Sequence, residues 1–180
     1  MTNRFRCYLL PAIVATIFCF TTPLLSHAQA VTSKPEAVLT PAEATKVLPA
    51  AVFYRGQSAS TQTRNSGGVR FADGFFVLAT LVDNSGYSTG VKEKYQAYFI
   101  TEVPIELGGQ KLSPGAYGVG FIEGDKFVVT DIGAHDVFTV STTNDAAMKR
   151  PNPLQVKADD APKHYRLYSG RKYVTFSRAE

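Results

Sequence analysis

The chain has 180 residues, of which 44% are hydrophobic, and a formal net charge of +4. This length leaves room for one domain after a targeting segment is removed. Without Arg4 and Arg6, 17 Lys and Arg face 15 Asp and Glu, and the resulting net charge of about +2 does not indicate nucleic acid as a partner. Both cysteines, Cys7 and Cys19, lie near the N-terminus, so the rest of the chain has no disulfide or thiol chemistry.

Residues 1–30 have the three parts of a secretory signal peptide. Arg4 and Arg6 precede an apolar run of about 14 residues, which is shorter than the roughly 20 residues of a membrane-spanning helix. Small residues then provide cleavage sites after Ala28 or Ala30. We therefore expect a bacterial protein that is secreted or periplasmic, with no transmembrane anchor after cleavage.

Residues 31–48 follow as a leader that precedes the main domain. Within it, Thr40-Pro41-Ala42-Glu43 has the spacing of a capping box, with proline at the first helical position. The segment is also rich in alanine, proline and threonine, which is typical of a flexible linker. A short helix ended by Pro49 and a linker both fit this pattern.

Residues 49–180 carry the pattern of a single all-β domain. Pairs such as Asp73-Gly74, Gly108-Gly109 and Gly124-Asp125 separate apolar runs and predict tight hairpins. We predict about ten short strands, at 51–54, 69–71, 75–82, 95–105, 116–122, 126–132, 136–142, 154–157, 165–169 and 171–177, with a short hairpin at 105–112. Their spacing is typical of an antiparallel β-sandwich or barrel.

Three of the predicted strands are apolar at consecutive positions, in residues 75–78, 127–129 and 137–138. Such runs indicate strands that are covered on both faces. A ligand cavity or a partner surface could provide the second cover. A loop or the leader helix packed on the outer face is the favoured interpretation.

One motif raises the possibility of catalysis. Gly86-Tyr87-Ser88-Thr89-Gly90 matches the nucleophile elbow of serine hydrolases, and Asp131 or Asp136 followed by His164 has the chain order of the other triad members. Ser88 is thus the candidate nucleophile. The residues after it favour a strand over the helix that an elbow requires. His135 and His164 are too few for a zinc site, so we expect no metal ion or other cofactor.

The polar segment from Gly56 to Gly68 is predicted to be a loop at the end of the β scaffold, where binding residues often lie. Its candidate ligand-binding residues are Arg55, Gln57, Gln62, Arg64 and Asn65. Guanidinium and amide groups donate hydrogen bonds to carboxylate, phosphate or hydroxyl oxygens. We therefore expect an anionic or polyhydroxylated ligand.

A second candidate site lies near the C-terminus, where basic and aromatic residues alternate. Its members are Tyr165, Arg166, Tyr168, Arg171 and Tyr173. Tyrosine rings can stack on sugars, and arginine can pair with phosphate or carboxylate. The same pattern is also explained by an edge hairpin whose basic residues discourage aggregation.

Three segments, at residues 55–58, 65–74 and 112–118, resemble a group of small secreted proteins of soil bacteria that have no assigned function. The Leu112-Ser113-Pro114-Gly115-Ala116-Tyr117 element is also similar to the start of a strand in many β-sandwiches. The resemblance implies a secreted all-β domain. We expect a non-catalytic module that binds a ligand or an envelope component. The alternatives are a structural or assembly component of the cell envelope and a small hydrolase that uses Ser88.

Overall fold

The computed structural model describes residues 35–179, so the predicted signal peptide lies outside the described residues. Over this part of the chain there are 14 strands and two short helices. No described helix has the length and apolar character to cross a membrane. In chain order the elements are β1 (Ala37–Leu39), α1 (Pro41–Ala44), β2 (Ala51–Tyr54), β3 (Gln57–Arg70), β4 (Phe76–Val82), α2 (Thr89–Lys94), β5 (Ala97–Thr101), β6 (Ile105–Leu107), β7 (Gln110–Leu112), β8 (Gly115–Ile122), β9 (Lys126–Thr130), β10 (Asp136–Ser141), β11 (Thr143–Asn144), β12 (Gln155–Ala158), β13 (His164–Ser169) and β14 (Lys172–Arg178).

The strands form two antiparallel sheets. The eight-stranded sheet has the order β1–β3–β4–β5–β8–β9–β10, with β2 paired to β3. The six-stranded sheet has the order β12–β13–β14–β6–β7, with β11 paired to β14. The all-β prediction is confirmed, and of its two variants the sandwich is found. The three predicted hairpins are also confirmed, as β3–β4, β6–β7 and β8–β9.

The main hydrophobic core lies between the two sheets. The eight-stranded sheet contributes Val77 and Phe99, and the six-stranded sheet contributes Leu167, Val174 and Phe176. Side chains alternate between the two faces of a strand, so the intervening residues of each sheet face outward. This alternation fixes which polar residues share the outer face of the six-stranded sheet.

The N-terminal leader covers part of the outer face of the eight-stranded sheet. The Thr40 side chain accepts a hydrogen bond from the Glu43 backbone amide, and the Thr40 backbone amide donates to the Glu43 carboxylate in return, which completes a capping box. Of the two interpretations of this segment the helix is found, although it ends at Ala44 and not at Pro49. Ala44 and Leu48 then pack against Leu78. The leader therefore covers Leu78, as the favoured interpretation of the run at 75–78 expects. Phe75 in the same run and Val137 in the run at 137–138 are each 47% exposed, so the expectation that these runs are covered on both faces is wrong at those two positions. The leader also contains strand β1, which pairs with β3.

A cluster of tyrosines covers another part of the same outer face. The rings of Tyr54 and Tyr95 stack with centroids 3.7 Å apart, and Tyr87 meets both edge-on. The Tyr87 hydroxyl donates to the Tyr54 carbonyl at 2.9 Å. These tyrosines tie the β2–β3 hairpin and α2 to the sheet.

Two local predictions are wrong. The segment from Gly56 to Gly68 is not a loop, because residues 57–70 form strand β3, which pairs with β2, β4 and β1. The register of β3 against β4 shifts at a bulge between Gln62 and Ser66. The residues after Ser88 form helix α2, which carries buried Val91 toward the tyrosine cluster.

Candidate functional site

Polar and aromatic side chains occupy the outer face of the six-stranded sheet. Cross-strand pairing aligns Lys157 with Arg166 on the neighbouring strand and, in the next row, Gln155 with Tyr168 and Tyr168 with Tyr173. Residues directly opposite each other in an antiparallel sheet lie close enough for their side chains to interact. These strands thus bring three members of the second candidate site together, namely Arg166, Tyr168 and Tyr173.

Arg166 is held within a network of carboxylates and an aromatic ring. Its Nη2 donates to Asp159 and, at 3.0 Å, to Asp160 Oδ2. Its guanidinium carbon lies 5.0 Å from the centroid of the Tyr173 ring. The hydrogen bond to Asp159 raises the pKa of Arg166 above its usual range. Arg166 is therefore already neutralised by groups of the protein itself.

The aromatic rings of this face are also occupied. The Tyr168 and Tyr173 centroids are 5.0 Å apart, and Lys157 Nζ lies 5.7 Å from the Tyr168 centroid. Tyr168 is only 1% exposed, and burial raises the pKa of its phenol. At neutral pH the phenol is a proton donor, and it donates to Asp145 Oδ2 at 3.1 Å.

The segment from Asp145 to Leu154 lies over this end of the sheet and is fixed at several points. The Asp145 amide donates to the Arg171 carbonyl at 2.8 Å, and Arg171 Nε donates to the Met148 carbonyl at 3.1 Å. Met148 and Leu154 are buried. The segment is thus held in place on both sides of its exposed residues, Lys149 and Arg150.

An open cleft of about 590 Å³ lies beside this segment, and we call it the basic cleft. Its residues are Asp145, Ala147, Met148, Lys149, Arg150 and Lys157. Among residues 35–179, Lys149, Arg150 and Lys157 form no ion pair, in contrast to Arg166 and Lys172. Three unneutralised cations therefore line one cleft, whose single carboxylate already accepts the Tyr168 hydroxyl.

The first candidate site is dispersed along the β2–β3 turn and β3. Asn65 donates to the Gln62 side chain at 3.2 Å, so these two amides bond to each other. Arg55 lines a cleft of about 220 Å³, and Arg64 lines a different cleft of about 220 Å³ next to Lys157. Gln57 is exposed at the start of β3. The five residues do not converge on one ligand position.

Ser88 lines the same small cleft as Arg55 and Lys94, at the N-terminal end of α2. Its backbone is extended, with φ −62° and ψ 157°. Of the proposed triad partners, Asp131 bonds to His135 and Asp136 to Lys94, while His164 lines a separate cavity. The described structure therefore does not assemble a triad around Ser88.

The second candidate site is divided between the two faces of its hairpin. Tyr165 belongs to the core between the sheets, and Arg171 is engaged with the Met148 carbonyl. The candidate residues predicted from the sequence do not include Lys149, Arg150 or Lys157. The sequence feature that indicates a basic site here is the charge of residues 149–178, which contain eight Lys and Arg against two Asp. Strand register decides which of the eight basic residues have no carboxylate partner, and the sequence alone does not give that register.

Within residues 35–179, no group of three or more His, Cys, Asp or Glu side chains converges as a metal site would require. Comparisons of the chain with protein-family models, with curated proteins and with solved structures found no match. The resemblance to small secreted proteins of soil bacteria therefore stays a prediction.

Proposed function

We propose that this protein is a non-catalytic module that binds an anionic ligand in the basic cleft. The observation that carries the proposal is the set of three cations, Lys149, Arg150 and Lys157, that line one cleft without a carboxylate partner among the described residues. A secreted or periplasmic setting is part of the proposal and is supported by the signal-peptide pattern of residues 1–30.

The charge of the cleft favours an anion as the ligand. Like charges that line one concave surface raise the local concentration of counter-ions and speed their association. Arg150 can bond a carboxylate, phosphate or sulfate with two parallel donors, and the lysines act as point charges beside it. Asp145 keeps its negative charge when it accepts the Tyr168 hydroxyl, but the three cations of the cleft outnumber this single carboxylate.

The fixed position of residues 145–154 supports binding as well. The bonds that join Asp145 and Met148 to Arg171 hold the segment before any ligand arrives. The Asn152 carbonyl accepts from the Gly170 amide at 3.0 Å and anchors the far end. Preorganisation of this kind reduces the entropy that is lost on binding.

Of the two expected ligand classes, the anionic one has more support than the uncharged polyhydroxylated one. Stacking of a sugar ring requires a free aromatic face. Here Arg166 lies over Tyr173, and Lys157 lies over Tyr168, which is buried. Recognition would therefore depend on charge more than on stacking.

The proposal can be tested with three polymers: dextran sulfate, polygalacturonate and uncharged dextran. Binding to the mature chain is measured by isothermal titration calorimetry at several salt concentrations. The variant is Lys149→Gln/Arg150→Gln, and the matched control is Lys46→Gln/Lys126→Gln, which removes the same charge from exposed positions outside the cleft.

We expect both polyanions to bind and uncharged dextran not to bind. Loss of charge-assisted hydrogen bonds in the cleft variant should weaken polyanion binding by about tenfold or more, since each such bond contributes about 1.5–3 kcal/mol. The control should change the affinity by less than about twofold, in line with screening of distant charges. Equal losses in the two variants, or no binding of either polyanion, would rule out the basic cleft.

A further inference from the structure

A second and larger cavity lies at the end of the sandwich where β1 begins and β14 ends. Its volume is about 800 Å³, and Phe71, Ala72 and Pro162 provide apolar lining. Phe71 is 3% exposed and belongs to the core between the sheets, so the core forms part of the cavity wall. The volume is within the roughly 300–1,000 Å³ that is usual for sites of small organic ligands.

Two of the charged residues around this cavity are bound to neighbouring groups. Arg178 Nη1 donates to Asp73 Oδ2 at 2.5 Å, and its guanidinium carbon lies 5.4 Å from the Phe71 centroid. Glu36 accepts the hydroxyl hydrogen of Tyr165. These contacts fix the rim and leave neither side chain fully available to a ligand.

Three other charged residues of the cavity have no such partner. Among the described residues, Glu106, Lys111 and Lys163 form no ion pair and no side-chain hydrogen bond. Glu106 and Lys111 are opposite each other on β6 and β7, close enough for their opposite charges to attract, although no ion pair forms between them in the described structure. One carboxylate and two ammonium groups are thus available around one cavity.

The loop that carries Lys163 is held in a fixed conformation. The Asp159 amide donates to the His164 carbonyl at 2.8 Å, and the His164 amide donates to the Ala161 carbonyl at 3.2 Å. Arg166 binds Asp159 from the adjacent strand. Lys163 itself has a φ of 61°, which is uncommon for a residue other than glycine. Backbone strain of this kind is maintained only where the surroundings impose it, and it is frequent at ligand sites.

We propose that this cavity binds a zwitterionic ligand with an apolar body, namely a short peptide with free termini. Glu106 would receive the ammonium group, and Lys111 and Lys163 would receive the carboxylate. Ala72 and Pro162, which are exposed on the cavity wall, would contact an apolar side chain. A simple anion would face Glu106 and a simple cation would face the two lysines, so a ligand that carries both charges fits this lining best. The site is separate from the basic cleft and does not depend on it.

The test uses the mature chain and the tripeptide alanyl-alanyl-phenylalanine as the probe, with calorimetry as the measurement. The same peptide is compared in N-acetylated and C-amidated forms, each of which lacks one terminal charge. The variants are Glu106→Gln and Lys111→Gln/Lys163→Gln. Their matched controls are Glu123→Gln and Lys46→Gln/Lys126→Gln, which remove the same number of exposed charges outside the cavity lining.

We expect the free tripeptide to bind and each blocked form to bind about tenfold more weakly, because a charge-assisted hydrogen bond is lost. Glu106→Gln should abolish the penalty of N-acetylation, and the lysine variant should abolish the penalty of C-amidation. The controls and Lys149→Gln/Arg150→Gln should leave tripeptide binding unchanged. Absence of binding at millimolar peptide, or equal binding of free and blocked forms, would overturn the proposal.

Discussion

Gly118 lies directly beneath the ring of Tyr54 in the tyrosine cluster on the outer face of the eight-stranded sheet. A Cβ atom at Gly118 would come 2.5 Å from Tyr54 Cε2, 2.7 Å from Thr130 Oγ1 and 2.9 Å from Tyr95 Cδ2. Real Cβ atoms essentially never approach other heavy atoms so closely. The stack of Tyr54 on Tyr95 therefore requires glycine at this position of β8.

Substitution Gly118→Ala should destabilise the protein by about 1–3 kcal/mol, the usual cost of overpacking a buried site. The measurement is the free energy of unfolding from urea titration. Gly90→Ala is the control, since nothing lies within 4 Å of a Cβ at this position and Gly90 is in helix α2. That control should be neutral or stabilise by up to about 1 kcal/mol. A stability loss of equal size in both variants would show that the Tyr54 contact is not the cause.

Removal of the side-chain hydroxyl should have opposite effects on stability at Tyr54 and at Tyr95. Thr130 Oγ1 donates to the Gly118 carbonyl at 2.9 Å, so the Tyr54 hydroxyl donates to Thr130 at 2.7 Å. Tyr54→Phe should therefore cost about 1 kcal/mol. The Tyr95 hydroxyl is buried without a partner in the described structure, so Tyr95→Phe should raise the melting temperature. A melting temperature lowered by Tyr95→Phe would indicate a hydrogen-bonding partner for this hydroxyl, such as an internal water molecule.

The buried tyrosines also predict how stability depends on pH. Burial raises the pKa of Tyr54, Tyr95 and Tyr165 above the value of about 10 found in an unfolded chain. Below pH 10 these phenols are neutral in both states and have no effect. Above pH 10 the unfolded chain releases protons that the folded chain retains, so the free energy of unfolding should fall as pH rises.

This fall can be followed by urea unfolding at intervals between pH 8 and pH 11, with tyrosinate absorbance recorded in parallel. Tyr95→Phe should make the dependence on pH shallower, because it removes one of the retained protons. A free energy of unfolding that stays constant or rises above pH 10 would contradict the expected direction.

The accuracy of the sequence-based predictions follows from how local each signal is. The capping box at Thr40 and the hairpin turns at Gly108-Gly109 and Gly124-Asp125 involve residues near in sequence, and the structure contains all of them. The larger part of strand β3, residues 57–68, was missed because its alternating inward residues, Ala59 and Thr61 among them, are small or polar. The alternation of hydrophobic residues that identifies a strand was therefore absent, although the backbone pairs with β2 and β4 on both sides of the bulge.

The candidate site was harder to predict because it depends on contacts between distant segments. The sequence shows that the C-terminal region is basic, but it does not show that Asp159 and Asp160 neutralise Arg166 or that Asp125 pairs with Lys172. Those pairs decide which cations remain free. A site defined by the absence of partners can be recognised only once the strand register is known.

The two arginines of the first candidate site should differ in their effect on polyanion binding. Arg55 and Arg64 are up to about 30 Å apart along the chain, given the rise of an extended strand. Arg64 shares its cleft with Lys157, which also lines the basic cleft, whereas Arg55 does not.

Because Coulomb interactions in water weaken strongly beyond about 10 Å, Arg64→Ala should reduce dextran sulfate affinity about two- to threefold. Arg55→Ala should leave the affinity unchanged, and both variants should keep the melting temperature of the unmodified protein. If instead Arg55→Ala weakened binding about tenfold and Lys149→Gln/Arg150→Gln did not, the polyanion would be bound at the small cleft beside Ser88, and the basic cleft would be the wrong site.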